Sequence, residues 1–209
     1  MFFFPIGCLV FFLFISVFFH VISFGFEKLG FSSEMTLLIL FLILIGSVVN
    51  IPLNKQKKVY VEKPSLISGL FKKRQIESQG VTINLGGAVI PIFISAYFLT
   101  KVPFEPVLIA TILITIISHH LARIVPGRGV VLSAFIPPIF SALFSMILAP
   151  GFVAPCAFIS GTLGTLIGAD ISNLKKIQKI SPGMLSIGGA GVFDGIFLVG
   201  IVSVFLTAL

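Results

Sequence analysis

Charge is scarce in this chain: 10% of its residues are Asp, Glu, Lys or Arg, where a soluble domain carries about 25%. So few charged groups cannot cover a folded surface with side chains that water accepts. This excludes a soluble enzyme and a disordered chain. Cysteine is scarce too. Cys8 and Cys156 both fall in apolar runs, which leaves no disulfide framework and no CxxC metal knuckle. HExxH, a P-loop, a nucleotide fingerprint, a redox motif and a Ser–His–Asp arrangement are all missing. No cofactor and no metal is therefore expected. Hydrophobic residues make up 57% of the 209, and the mean hydropathy is +1.18. These values describe an integral membrane protein. The net charge of +7 then records topology before it suggests nucleic acid, which is not expected as a partner.

A helix needs about 20 apolar residues to cross the hydrocarbon core. Seven stretches qualify: Phe2–Phe26, Met35–Leu53, Thr82–Thr100, Pro106–Ala122, Val130–Ala149, Gly151–Asp170 and Leu185–Leu209. The fourth is the weakest, because it runs into His119, His120 and Arg123. The first has no basic leader and is long for a signal peptide, so it reads as a retained helix. Of the 14 lysines and arginines, 12 fall in the second, fourth and sixth connections, and only Lys28 and Lys101 in the others. That asymmetry puts the even connections and the amino terminus in the cytoplasm. The expected fold class is all-α: a polytopic membrane helix bundle of about seven transmembrane helices. It forms a single transmembrane domain over residues 1–209, multi-pass in the cell membrane, with the lipid bilayer as its first partner. The longest connection, Asn54–Val81, is basic. Its Lys55–Arg74 stretch reads as anchoring first and a headgroup site second, and Leu66–Phe71 as a short interfacial piece.

Two regions echo each other. Gly46-Ser-Val-Val-Asn50-Ile-Pro52 and Gly164-Thr-Leu-Ile-Gly-Ala-Asp170 each close a span ahead of lysines. Asn84-Leu-Gly86-Gly87-Ala88 and Ser186-Ile-Gly188-Gly189-Ala190 each open one. The echo suggests a parallel internal repeat of residues 35–100 and 151–209. Gly161, Gly164 and Gly168 stand on one helix face, so close packing of the sixth span on the seventh is expected.

All five glutamates lie in connections, whereas Asp170 and Asp194, the only aspartates, lie in hydrophobic context. An ionised carboxylate in the bilayer centre costs about 3 kcal/mol or more, so an acid there marks function. If a helix runs on from Pro182, Asp194 lies some ~18 Å along it, about 10 Å deeper than Asp170. The two occupy consecutive spans joined by a short hairpin. Paired carboxylates in a low-dielectric site hold one proton between them, which supplies a general acid and a general base together. The same pair could bind and release a proton or a sodium ion.

The Gly168-Ala-Asp170 and Gly189-Ala-Gly191-Val-Phe-Asp194-Gly195 segments resemble the GxGD-type aspartyl intramembrane proteases: the presenilin, signal peptide peptidase and prepilin peptidase group. Asp194 stands three residues after Gly191 instead of directly after it. The resemblance implies catalytic roles for Asp170 and Asp194 and a membrane-embedded peptide substrate. The whole chain is also similar to an uncharacterised family of small multi-pass membrane proteins of archaea and bacteria, through Asn50-Ile-Pro52, Asn84-x-Gly-Gly and Gly-Ala-Gly-Val-Phe-Asp-Gly.

Other polar residues support this site. Asn50 and Asn84 flank the other cytoplasmic hairpin and either bridge helices or orient substrate or water. His119 and His120 are adjacent, about 100° apart on a helix, so they cannot form the i, i+4 ligand pair of a zinc helix. Gly189, Gly191 and Gly195 would loosen the backbone around the second aspartate. Three functions follow: an aspartyl intramembrane hydrolase, a proton- or cation-coupled carrier using the same acids, and a non-catalytic scaffold or partner subunit.

Overall fold

The computed structural model describes residues 3–54, 57–64, 72–125, 129–180, 184–189 and 195–208. Among them are seven helical rods, one on each apolar stretch of the sequence: α1 (Phe3–Lys28), α2 (Ser33–Gly46), α3 (Ile90–Leu99), α4 (Phe104–Leu121), α5 (Ile136–Leu148), α6 (Val153–Thr165) and α8 (Gly195–Leu206). A π-helical turn, Leu85–Val89, leads into α3. A second, Leu166–Ile171, extends α6 toward the short helix α7 (Leu174–Ile180).

Strands, which the all-α expectation did not contain, replace one end of several apolar stretches. These are β1 (Asn50–Pro52), β2 (Lys57–Pro64), β3 (Lys72–Asn84), β4 (Arg123–Val125), β5 (Gly129–Val131) and β6 (Met184–Ile187). β3 is the spine. It pairs antiparallel with β2 and β1, with Asn50 opposite Asn84, and parallel with β6, with Thr82 opposite Ser186. β4 and β5 form a separate antiparallel pair. The cause is composition: β-branched residues carry apolar content without favouring helix, so Val81-Thr-Ile83 and Leu185-Ser-Ile187 fit a pleated surface as well as a span. Leu66–Phe71, read as an interfacial piece, lies outside the described residues.

The helices α2, α3, α5, α6 and α8 are correspondingly shorter than the stretches that announced them. Among the described residues, two helical segments are long and apolar enough to cross a membrane, Phe104–Leu121 and Val153–Gln178. Local signals set the boundaries. The Ser32 hydroxyl caps α2 by accepting the Met35 N–H at 3.3 Å. Pro137 and Pro138 occupy the first turn of α5, where a missing N–H leaves no carbonyl unsatisfied.

α6 is the centre of the bundle. Cys156, Ala157, Phe158, Ile159 and Ser160 are all fully buried. Its glycines divide between two neighbours, where the sequence put all three toward the last span. Gly161 faces α8, close to Ser203 and the Val199 carbonyl, whereas Gly164 and Gly168 face Ile114, Thr115 and Ser118 of α4. Gly200 of α8 answers by meeting Thr162 and Phe158. At one end, Phe31 from the first connection packs on Tyr97 and Phe98 of α3, and Phe98 on Phe158. The strands gather at the opposite end. There Val81, Ala88, Leu166, Ile187 and Ile196 form a second apolar cluster, beneath the strand–helix junctions.

Candidate functional site

The two π-helical turns and the β1–β3–β6 strands meet in one polar cluster. Asn84 ends β3 and caps the first π-turn, its Oδ1 accepting the Gly87 N–H at 2.8 Å. Its Nδ2 donates to the Ser47 carbonyl at 2.7 Å and to Asn50 Oδ1 at 3.2 Å. The Ser186 hydroxyl donates to the same Asn50 oxygen at 2.6 Å. Asn84 is 1% exposed, and these bonds use its whole amide. It is a structural tie between α2, β1 and β3. Asn50 differs. Its oxygen accepts from two donors, and its NH₂ group, on an exposed residue, makes no hydrogen bond among the described residues.

Asp170 lies on the second π-turn and is half-buried. Its Oδ2 accepts the Gly188 N–H at 3.4 Å. Gly188 follows β6 at φ +67°, and a side chain there would stand 2.6 Å from the Ala88 methyl. A glycine is needed for both reasons. The result is that Gly188 lies against both Asp170 and the first π-turn. A Cβ at Gly189 would stand 2.0 Å from the Ser186 Oγ and 3.4 Å from Asn50 Oδ1. Two residues beyond Asp170, the Ser172 hydroxyl is 2.6 Å from His119 Nδ1 and donates to the Gly168 carbonyl at 2.5 Å. Asn173 Nδ2 donates to the Ala169 carbonyl at 3.0 Å. These side chains satisfy carbonyls that the widened π-turn leaves without helical partners.

Of the residues singled out in the sequence, Asn50, Asn84, Asp170 and Gly189 are brought together. His119 joins through Ser172. His120 is exposed, its ring 5.6 Å from that of His119. Gly195 opens α8 with free space around it. Gly191 and Asp194 lie outside the described residues. The depth argument for Asp194 needs correction, however. It assumed a helix running from Pro182, whereas residues 184–187 are strand. Ser172 and Ser186 were missed, because an isolated serine beside a span carries no pattern that separates it from any other. No group of His, Cys, Asp and Glu among the described residues could hold a metal ion.

The family described as protein of unknown function, DUF1614, matches residues 44–206. The chain belongs to the DUF1614 family. The match takes in α2 from Leu44 onward, every strand and both π-turns. The polar cluster is thus wholly inside the DUF1614 region, whereas α1 lies outside it. No curated protein and no solved structure matches the chain, and the comparisons lend no support to the GxGD resemblance.

Proposed function

We propose that this DUF1614 protein is a multi-pass protein of the cell membrane that hydrolyses peptide bonds of membrane-embedded substrates, with Asp170 and Asp194 as its acid–base pair. The observation that carries the reading is the bond from the Gly188 N–H to the Asp170 carboxylate. It sets Gly188, in the segment between β6 and Asp194, against the first aspartate. The strand before that segment also removes the reason for placing Asp194 deep along a helix. Membrane embedding draws on the surface: Leu37, Phe41, Phe93, Phe135 and Ile147 are among many large apolar side chains that stand exposed on the helices and their ends.

In this mechanism the ionised carboxylate takes a proton from water as its oxygen attacks the peptide carbonyl carbon. The protonated carboxyl gives its proton to the carbonyl oxygen. Collapse of the tetrahedral species breaks the C–N bond: the departing nitrogen takes the proton held by the carboxyl that activated the water, and one hydroxyl on the carbon returns its proton to the other carboxylate. The NH₂ of Asn50 is available to donate to a substrate carbonyl and hold it in register. A carrier of protons or small cations is the second reading. It draws on the buried Ser95, Ser118, Thr162 and Thr165 hydroxyls, which have no hydrogen-bond partner among the described residues.

The test is cleavage of single-span fluorogenic peptides by the protein in proteoliposomes. Asp170→Asn and Asp194→Asn should each lower the rate by at least about 10²-fold, the lower range for general acid–base catalysis. Undiminished cleavage by either variant contradicts the pair. Sodium- or proton-driven flux without cleavage, lost in the same variants, replaces the hydrolase with the carrier.

A further inference from the structure

One side chain reaches the second π-turn from another element. His119 stands on the last turn of α4, half-buried, and its Nδ1 lies 2.6 Å from the Ser172 Oγ. The same Ser172 oxygen lies 2.5 Å from the Gly168 carbonyl oxygen. Two oxygens come that close only with a proton between them, and a carbonyl has none to give. The single hydroxyl proton of Ser172 is therefore committed to Gly168. Nothing is left to donate to the imidazole, so His119 Nδ1 must carry the proton of its bond to Ser172. This fixes the neutral ring in the Nδ1–H form, the reverse of free histidine, which favours Nε2–H. Nδ1 bears a proton in the imidazolium as well, so the bond survives protonation of the ring.

We infer that His119, through its Nδ1–H, is a positioning residue for Asp170: it holds the π-turn that carries the aspartate against the end of α4. The inference rests on the reading of Asp170 as a reacting carboxylate. A π-turn widens the helix and leaves carbonyls off the regular ladder. Gly168 and Ala169, the two residues before Asp170, have theirs recovered by the Ser172 hydroxyl and by Asn173 Nδ2, at 3.3 Å to Gly168 and 3.0 Å to Ala169. Asn173 is buried, whereas Ser172 is exposed and water competes for its hydroxyl. The N–H that His119 donates to the Ser172 oxygen keeps the hydroxyl turned toward Gly168. α4 also meets the turn through its backbone, since a Cβ at Gly168 would stand 2.3 Å from the Thr115 carbonyl oxygen. The first π-turn has its tie within its own segment, the buried Asn84. The second takes its tie from α4, so the end of α4 sets where Asp170 stands.

Asparagine and glutamine separate the two ring nitrogens: the Asn amide nitrogen falls where Nδ1 stands, the Gln one where Nε2 stands. With the full chain in proteoliposomes, His119→Gln and His119→Ala should lower kcat for the single-span fluorogenic peptide by at least about ten-fold at unchanged KM, and His119→Asn should keep it within about three-fold of the parent. In a Ser172→Ala background, His119→Gln should have no further effect, because the two residues act as one. The tautomer is read directly. The chain has three histidines, so nitrogen NMR of histidine-labelled protein identifies His119 by its loss in His119→Asn, and the ring proton should sit on Nδ1. A ring protonated on Nε2 alone overturns the inference. So does His119→Asn falling as far as His119→Gln, or His119→Gln matching the parent. An inactive parent is a different failure and ends the hydrolase reading. The thiol labelling rate of Asp170→Cys then decides the tie: it should change with His119→Gln and return with His119→Asn, and a rate that His119→Gln leaves unchanged overturns the positioning role.

Discussion

At the scale of single residues, backbone contact governs this protein more than side-chain size. A methyl group at Gly168 would stand 2.3 Å from the Thr115 carbonyl oxygen and 2.9 Å from the Ser118 Cβ, whereas Gly151 has nothing within 4 Å. Neither the α4 backbone nor the π-turn can give way easily. Gly168→Ala should therefore destabilise the fold by about 1–3 kcal/mol, as overpacking of a tight core does. Gly151→Ala should stay within about 0.5 kcal/mol of the parent, as an open surface site does. Denaturant or thermal unfolding in detergent checks the pair, and equal effects would contradict the close approach. Part of this was legible: spacing put Gly161, Gly164 and Gly168 on one helix face. Which neighbour each would meet was not, because a glycine has no side chain to announce a partner. Asn50 and Asn84 were equally legible as polar residues beside a hairpin. Their division into one exposed donor and one saturated tie depends on Ser47 and Ser186, which only folding brings near.

At the scale of elements, hydropathy located seven of the described helices, missed the short α7 in the sixth connection, and concealed the strands. A window rich in Val, Ile and Thr scores as membrane whether it coils or pleats, and periodicity alone cannot separate a buried strand from a short helical piece. The last apolar stretch is the clearest case. Leu185–Leu209 reads as one span, yet residues 184–187 are strand and pair with β3. The echo between the halves aligned Asn84 with Ser186, two positions from the pairing in which Thr82 faces Ser186. A cysteine pair at Thr82 and Ser186 should close a disulfide under mild oxidation, and a pair at Asn84 and Ser186 should do so far more slowly. Mass spectrometry of the digested chain reads both, and the reverse order would contradict the register.

At the scale of the whole molecule, one end differs from the other. The strands, both π-turns, the polar cluster and most of the basic residues share an end. The aromatic contacts of Phe31, Tyr97 and Phe98 sit at the other, where Lys101 lies over the Tyr97 ring at 4.2 Å. Lysine and arginine counts alone made this asymmetry legible, since they weigh the connections whatever structure those adopt. Lys72→Cys in β3 should thus be labelled by an impermeant maleimide in inside-out vesicles and spared in intact cells; labelling of intact cells would reverse the orientation. Asp170 lies where this polar end meets the helices, and the proximity of Asp194 to it is the central claim of the proposal. The direct measurement is disulfide formation in the Asp170→Cys/Asp194→Cys protein, with Cys8 and Cys156 replaced by serine and purified in lipid. The account predicts an intramolecular bond that forms readily and is lost on reduction. Two thiols that both react with maleimide yet never join would contradict it.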